Sequence, residues 1–259
     1  MRCSPFAGFS FGAGRASKKA SSFDAATLSL NGFWRAHSST TEGYDSTTGT
    51  WDGVASAGGS GSRNLTQGTA GERPAAGTAI NGLMPPDFDG TDDNLESGVA
   101  LSTFVSASAW FAWALVNIDA IALNSASSFS NDAVLTDLGL FWGIFLRANG
   151  GSPLVYAYQW DGAEKKAQES ITTGGWNLIC ARYDGTNIRL RVNAGTVQTA
   201  AAGNITTLTN NLICGAASLV GAQPYNGRMA DVGLMSSAES DSRFDDIKAY
   251  VNSRYGLAL

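Results

Sequence analysis

Four aspartates fall within seven residues in the stretch DFDGTDDNL, Asp87 to Leu95, of a 259-residue chain whose charged side chains make up only 15%. Oxygen ligands at that density are what calcium takes. The string nevertheless lacks the Asp-x-Asp-x-Asp-Gly ladder and distal Glu of a helix–loop–helix calcium site. A turn accounts for every residue in it. Phe88 and Leu95 point inward, Asp89-Gly90 reverses the chain, and Asp92, Asp93 and Asn94 bond to nearby backbone. The expectation is therefore a solvated turn with no metal site and no cofactor, calcium being the alternative.

Other reactive constellations are sparse. Retaining glycoside hydrolysis needs two carboxyl groups about 5–5.5 Å apart, and Glu239-Ser-Asp241 is the single Glu-x-Asp in the chain. It lacks a second Glu and leads into a helix-like segment, so helix capping is its expected role. His37 is the only histidine, which leaves a Ser-His-Asp arrangement one base, set in the loop-like RAHSSTTEG. No Gly-rich phosphate loop or dinucleotide fingerprint appears. No catalytic residue is assigned, and the chain is read as not an enzyme. Three cysteines fit no zinc spacing. Cys180 and Cys214, each ending an LIC triplet, are expected as buried free thiols. Cys3 is a thiol that could crosslink subunits.

The elements that must position these residues are strands. Thirty-one glycines against six prolines favour many turns and short strands. WFAWALVNI (Trp110 to Ile118) is apolar at both alternating faces, as a buried strand is. LFWGIFLR (Leu140 to Arg147) and LVYAYQW (Leu154 to Trp160) behave alike. NIRLRVN alternates, with Ile188, Leu190 and Val192 inward and Arg189 and Arg191 outward. Asp184-Gly185 before it marks a hairpin. NLICGAASLV and GRMADVGLM supply two more strands, and short strands near Trp51 and Leu65 are expected to interrupt the Gly/Ser/Thr-rich residues 38–82. Only the C-terminus has a helical stripe, through Phe244, Ile247, Val251 and Tyr255, with Ser and Asp at its start to cap it and Gly256 to end it.

The net charge of −5 divides unevenly. Residues 1–22 carry Arg2, Arg15, Lys18 and Lys19 and no acid, whereas the remainder balances at −9. An acidic body is unsuited to specific nucleic-acid binding. No apolar run is long enough to cross a membrane as a helix, and Met1–Ser22 has no apolar core of export-signal length. Residues 1–22 show no periodicity and read as an extended arm. Its Phe6, Phe9 and Phe11, followed by Arg15, Lys18 and Lys19, form a candidate anchor that fills pockets on a partner.

Residues 23–259 resemble the concanavalin A-like, laminin-G-like jelly-roll domains of bacteriophage structural proteins. FDAATLSLNGFW, GTWDG and RNLTQGTAGERPAAGTAINGLMPPDFDGTDDNL are similar to the entry segment of that family. WFAWALVNID is similar to its first long core strand, and GGWNLICARYDGTNIRLRVNAGTV to its central hairpin. The span from NLICGAASLV to NSRYGL is similar to its closing section. The resemblance implies an all-β, antiparallel two-sheet jelly-roll sandwich over 23–259, with a short C-terminal helix and the arm preceding it. It further implies a non-enzymatic bacteriophage virion protein, a capsid decoration or head fibre rather than a tail appendage. Such a protein would be a homo-oligomer docked on capsid or tail proteins through its arm. The alternative function is a carbohydrate-binding adhesin module for host-surface or environmental glycans. Trp34, Trp51, Tyr156, Tyr158 and Trp160 are then the candidate stacking platforms, with Tyr44 and Tyr225 as further aromatics.

Overall fold

A computed structural model describes residues 24–40, 42–54, 63–125, 131–217 and 223–259. The arm and its candidate anchor residues Phe6, Phe9, Phe11, Arg15, Lys18 and Lys19 lie outside the described residues, as does Cys3. The entry region forms β1 (Gly32–Arg35), β2 (Tyr44–Asp45), β3 (Thr50–Trp51), β4 (Leu65–Thr66), β5 (Ala75–Ala76), β6 (Pro86–Asp89) and β7 (Leu95–Ala100). The middle forms β8 (Trp110–Ala120), β9 (Asp132–Asp137), β10 (Trp142–Arg147), β11 (Leu154–Trp160) and β12 (Glu164–Ser170). Then follow β13 (Trp176–Tyr183), β14 (Asn187–Val192), β15 (Gln198–Ala201), β16 (Asn211–Cys214), β17 (Asn226–Met235) and helix α1 (Ser242–Tyr255).

Two antiparallel sheets pack face to face, the expected sandwich. The first runs β15-β14-β13-β8-β17-β6-β5, with β1 also paired to β17. The second runs β12-β11-β10-β9-β16-β7-β4-β3-β2. The short strands expected near Trp51 and Leu65 are β3 and β4, at the edge of the second sheet.

The apolar character of β8 on both faces has a specific cause. Trp110, Ala112, Ala114, Val116 and Ile118 join the core between the sheets. Phe111, Trp113 and Leu115 point the other way, into a second core beneath α1. The stripe of α1 closes that second core through Phe244, Ile247, Val251 and Tyr255, with Tyr250 added. Cys180 faces the helix and Cys214 the inter-sheet core. Both are buried free thiols, and burial pushes both thiol pKa values up.

The start of α1 is held differently from expectation. Asp241, at the N-cap position, makes no capping hydrogen bond. Its carboxylate instead accepts from Arg182 Nε at 2.7 Å and Arg189 Nη1 at 2.8 Å. Arg191 reaches Asp245 at 2.9 Å and lies over the Phe244 ring. The outward arginines of β14 thus fix the helix onto the sheet. Gly256 ends the helix in the left-handed conformation, φ 66°, as expected.

A bulge in β17 redirects its side chains. The register against β8 shifts between Met229 and Asp231. Met229 stays in the inter-sheet core, while Ala230 faces the helix. Asp231, fully buried, bonds there to Trp113, Tyr250 and Tyr255. An extra residue in one strand re-aims the neighbouring side chain in this way.

Candidate functional site

The aspartate turn joins β6 in the first sheet to β7 in the second. Phe88 and Leu95 are buried, as expected. Asp89 Oδ1 accepts from Thr91 N at 2.7 Å, Asp93 Oδ2 from Asp89 N at 2.8 Å, and Asn94 Nδ2 donates to Asp92 O at 3.0 Å. The turn is less solvated than expected. Asp93 is 5% exposed and Asn94 fully enclosed, because Gln67 Nε2 and Glu72 O hold Asn94 from the neighbouring segment. Burial, and behind it the nearby Asp89, Asp92 and Asp87, pushes the Asp93 carboxyl up to about 6. One oxygen each of Asp89, Asp92 and Asp93 lies within 4.8 Å of the others. Two of those three carboxylates, Asp89 and Asp93, already accept from the turn's own amides.

The residues weighed and set aside for catalysis, His37, Glu239 and Asp241, are engaged in local structure. His37 Nδ1 accepts from Ser39 N at 3.2 Å, and its Nε2 faces Glu42 at 3.0 Å. Glu239 bonds Arg243 at 3.0 Å and Ser237 at 2.9 Å, while Asp241 holds the two arginines described above.

Most of the expected stacking platforms are interior. Trp34 and Trp51 are fully buried, their indole N–H groups donating to Arg63 O at 2.6 Å and Arg35 O at 3.2 Å. Tyr44 donates to Pro74 O, and Tyr225 to Asn117 O at 3.0 Å. A backbone acceptor for the polar tip lets each of these rings sit in the core. Tyr156 and Tyr158 lie with Ala133, Phe145 and Ala217 in a third cluster, separate from the two cores bordering the first sheet. They too are enclosed: Phe145 packs edge-on against Tyr158 at 5.9 Å, and Lys166 covers Tyr156. Of the five candidates only Trp160 retains an exposed face.

Trp160 borders a recess of about 190 Å³ shared with Gly139, Leu140, Phe141 and Tyr158. The strand expected from Leu140 begins only at Trp142, so Leu140 and Phe141 belong to the β9–β10 turn. That turn is built around the buried Asp137. Its Oδ1 accepts from Phe141 N at 2.7 Å and Trp142 N at 3.0 Å, and its Oδ2 from Gly139 N at 3.1 Å and Asn210 Nδ2 at 2.9 Å. Burial raises the Asp137 carboxyl, opposed by these four donors. Gly139 leaves room for the Asn210 amide, since a Cβ there would lie 2.0 Å from its Nδ2 and displace it. Leu140 is held at φ 59°, a conformation that costs a leucine roughly 1–2 kcal/mol. Phe141 O then accepts from Trp160 N at 2.8 Å, tying the turn to the end of β11.

The product is a rigid apolar and aromatic recess with no carboxylate in its lining. A ring with an apolar face can stack there. The sequence reading missed Leu140 and Phe141 because the apolar run from Leu140 to Arg147 concealed where the turn ends. Asp137-x-Gly139, an Asx-type turn signal, marked the spot.

Comparison with known proteins follows the fold. A search of curated proteins by sequence found no match. Among solved structures, Trypanosoma rangeli sialidase in complex with 2,3-difluorosialic acid matches with TM-score 0.54 and 12% identity, over 88% of this chain and 33% of its own. The same enzyme with the inhibitor DANA matches with TM-score 0.51 and 12% identity, over 86% and 32%. This chain thus spans about a third of the sialidase. Domain 4 of AbnA, an extracellular arabinanase from Geobacillus stearothermophilus, in complex with arabinotriose, gives TM-score 0.48 at 12% identity over 86% and 98%. The model of the concanavalin A-like lectin/glucanases superfamily matches residues 89–243, well over half of the sequence. The chain is a lectin-like sandwich of the concanavalin A-like lectin/glucanases superfamily.

Proposed function

We propose that this chain is a non-catalytic carbohydrate-binding module whose ligand contacts are made by Phe141 and Trp160 at the Asp137-braced turn. The observation carrying this reading is that turn: four hydrogen bonds and a left-handed leucine hold an aromatic recess open beside Trp160. Rigid aromatic surfaces stack on sugar rings at small entropic cost. Membership in a lectin-like superfamily supports the same ligand class. The absence of a carboxylate from the recess lining supports binding without hydrolysis.

Glycan-array binding followed by calorimetry tests the reading. Trp160→Ala should abolish binding of the best glycan hit while the protein stays folded, with a midpoint lowered by the packing that Trp160 makes against the Phe145–Tyr158 cluster. Binding undiminished in that variant would rule the recess out. Sugar release from a polysaccharide that the protein binds would overturn the non-catalytic part.

The division of charge between a basic arm and an acidic body favours a second, compatible reading. In it the sandwich is displayed as a homo-oligomer on a bacteriophage particle, as a capsid decoration or head fibre, and residues 1–22 attach it. Deleting 1–22 should then release the protein from particles while the body stays folded. Continued association of the truncated protein would refute the anchor.

A further inference from the structure

A second cavity, of about 310 Å³, lies at the C-terminal helix, far from the aromatic turn in chemical character. Arg35 from β1 and Arg254 from α1 line it with Asp24, Asn81, Leu83, Tyr250 and Ser253. We propose that this cavity binds an oxyanion, a carboxylate or phosphate carried by a ligand of about monosaccharide size, with Arg35 and Arg254 as its donors.

The charge balance points that way. Among the described residues Arg254 forms no ion pair within 4.0 Å, its Nη2 donating to Ala36 O at 2.7 Å, and the buried Asp231 acts on its charge only from a greater distance. Arg35 has one acidic neighbour, Asp24, at 3.6 Å, beyond direct hydrogen-bond length. The Nε–H of each arginine is enclosed without an acceptor. Neither guanidinium is therefore paired with a carboxylate at hydrogen-bond length, although Tyr250 bonds Arg35 and Tyr255 bonds Arg254. The lining carries two cations against one anion, in a body that is otherwise strongly acidic.

The donors are also pre-positioned. The Ala36 carbonyl fixes Arg254 against the Tyr255 ring, and Arg35 stacks over Phe33 beside the Tyr250 hydroxyl. Two held guanidinium forks suit the bidentate geometry of carboxylate and phosphate. The volume falls at the lower end of the range of small-ligand sites.

Calorimetric titration of the full chain at low ionic strength tests this, with glucuronate, inorganic phosphate and glucose as probes. Glucuronate, phosphate or both should bind, which distinguishes a carboxylate site from a phosphate site, and glucose should not compete. Asp24→Asn keeps the side-chain oxygen that accepts from Ala26 N and removes the competing charge. It should tighten binding about fivefold, the effect of one unit charge at close range under partial solvent screening. Ser253→Asp, at an exposed helix position, should abolish binding. Trp160→Ala should leave it unchanged, which separates this site from the aromatic recess. Absence of binding by both anions, or binding insensitive to Asp24→Asn and Ser253→Asp, would overturn the proposal.

Discussion

Trp113 Nε1 donates to Asp231 Oδ1 at 2.7 Å, joining β8 to the bulge of β17 beneath the C-terminal helix. Tyr250 and Tyr255 each reach Asp231 Oδ2 at 2.9 Å. Tyr255 Oη is also 2.7 Å from Ala230 O. Its single hydrogen serves one acceptor fully, and a protonated Asp231 can supply the hydrogen for the other contact.

Burial lifts the Asp231 carboxyl from 3.8 to about 6, against the pull of its three donors. Between these values the folded chain holds more protons than the unfolded one, so this group's contribution to stability falls as pH rises through that window and is level above it. A shift of that size corresponds to about 3 kcal/mol. Asp231→Asn mimics the protonated form, so its stability relative to wild type should improve by about that amount between pH 4 and pH 7.5. Urea unfolding at the two pH values measures it. A constant difference would show that Asp231 does not titrate in this window.

Leu140→Gly should raise stability by up to about 1 kcal/mol, since glycine adopts a positive φ without steric cost but loses more chain entropy. The same change removes one wall of the aromatic recess, so glycan affinity should fall as the melting midpoint rises. A lower midpoint would show that the packing of Leu140 against the Phe145–Tyr158 cluster outweighs its backbone strain.

Gly233 faces Trp113 across the β17–β8 ladder, and a Cβ there would lie 1.9 Å from the indole. Gly233→Ala should destabilise by about 3 kcal/mol or more, because the ring is confined between Phe33 and Phe111. The readout is the denaturation midpoint at unchanged m-value. A shift below about 1 kcal/mol would mean that the indole has room to move.

The aspartate turn should be indifferent to calcium. Asp89 and Asp93 already accept from Thr91 N and Asp89 N, and a cation would have to displace those bonds. Thermal melts with calcium and with chelator should coincide. A midpoint raised by calcium would make the turn a metal site.

Much of the fold was legible because its signals are local. Two-faced apolarity in Trp110 to Ile118, alternation in Asn187 to Asn193 and the three-and-four stripe of α1 each report their own burial. What escaped depends on partners distant in sequence. Trp34 and Trp51 look like ordinary exposed aromatics until Arg63 O and Arg35 O are seen to satisfy their indoles. The bulge that turns Asp231 toward the helix has no signature in GRMADVGLM, since it arises from pairing with β8. Asp241 looked like a cap and became a clasp for Arg182 and Arg189, which lie more than fifty residues away.

Helix α1 follows every strand in sequence and supplies much of the cover over Phe111, Trp113 and Leu115 on the outer side of the first sheet, where Ala25, Leu30, Phe33 and Ile80 from the entry region complete it. Until it docks, a nascent chain exposes a wide aromatic surface flanked by strand backbone, the kind of surface through which incomplete chains associate. Prematurely terminated or proteolytically trimmed copies should therefore accumulate as aggregates rather than as shortened soluble domains. The helix thus acts as a cover for the sheet as well as a part of its core.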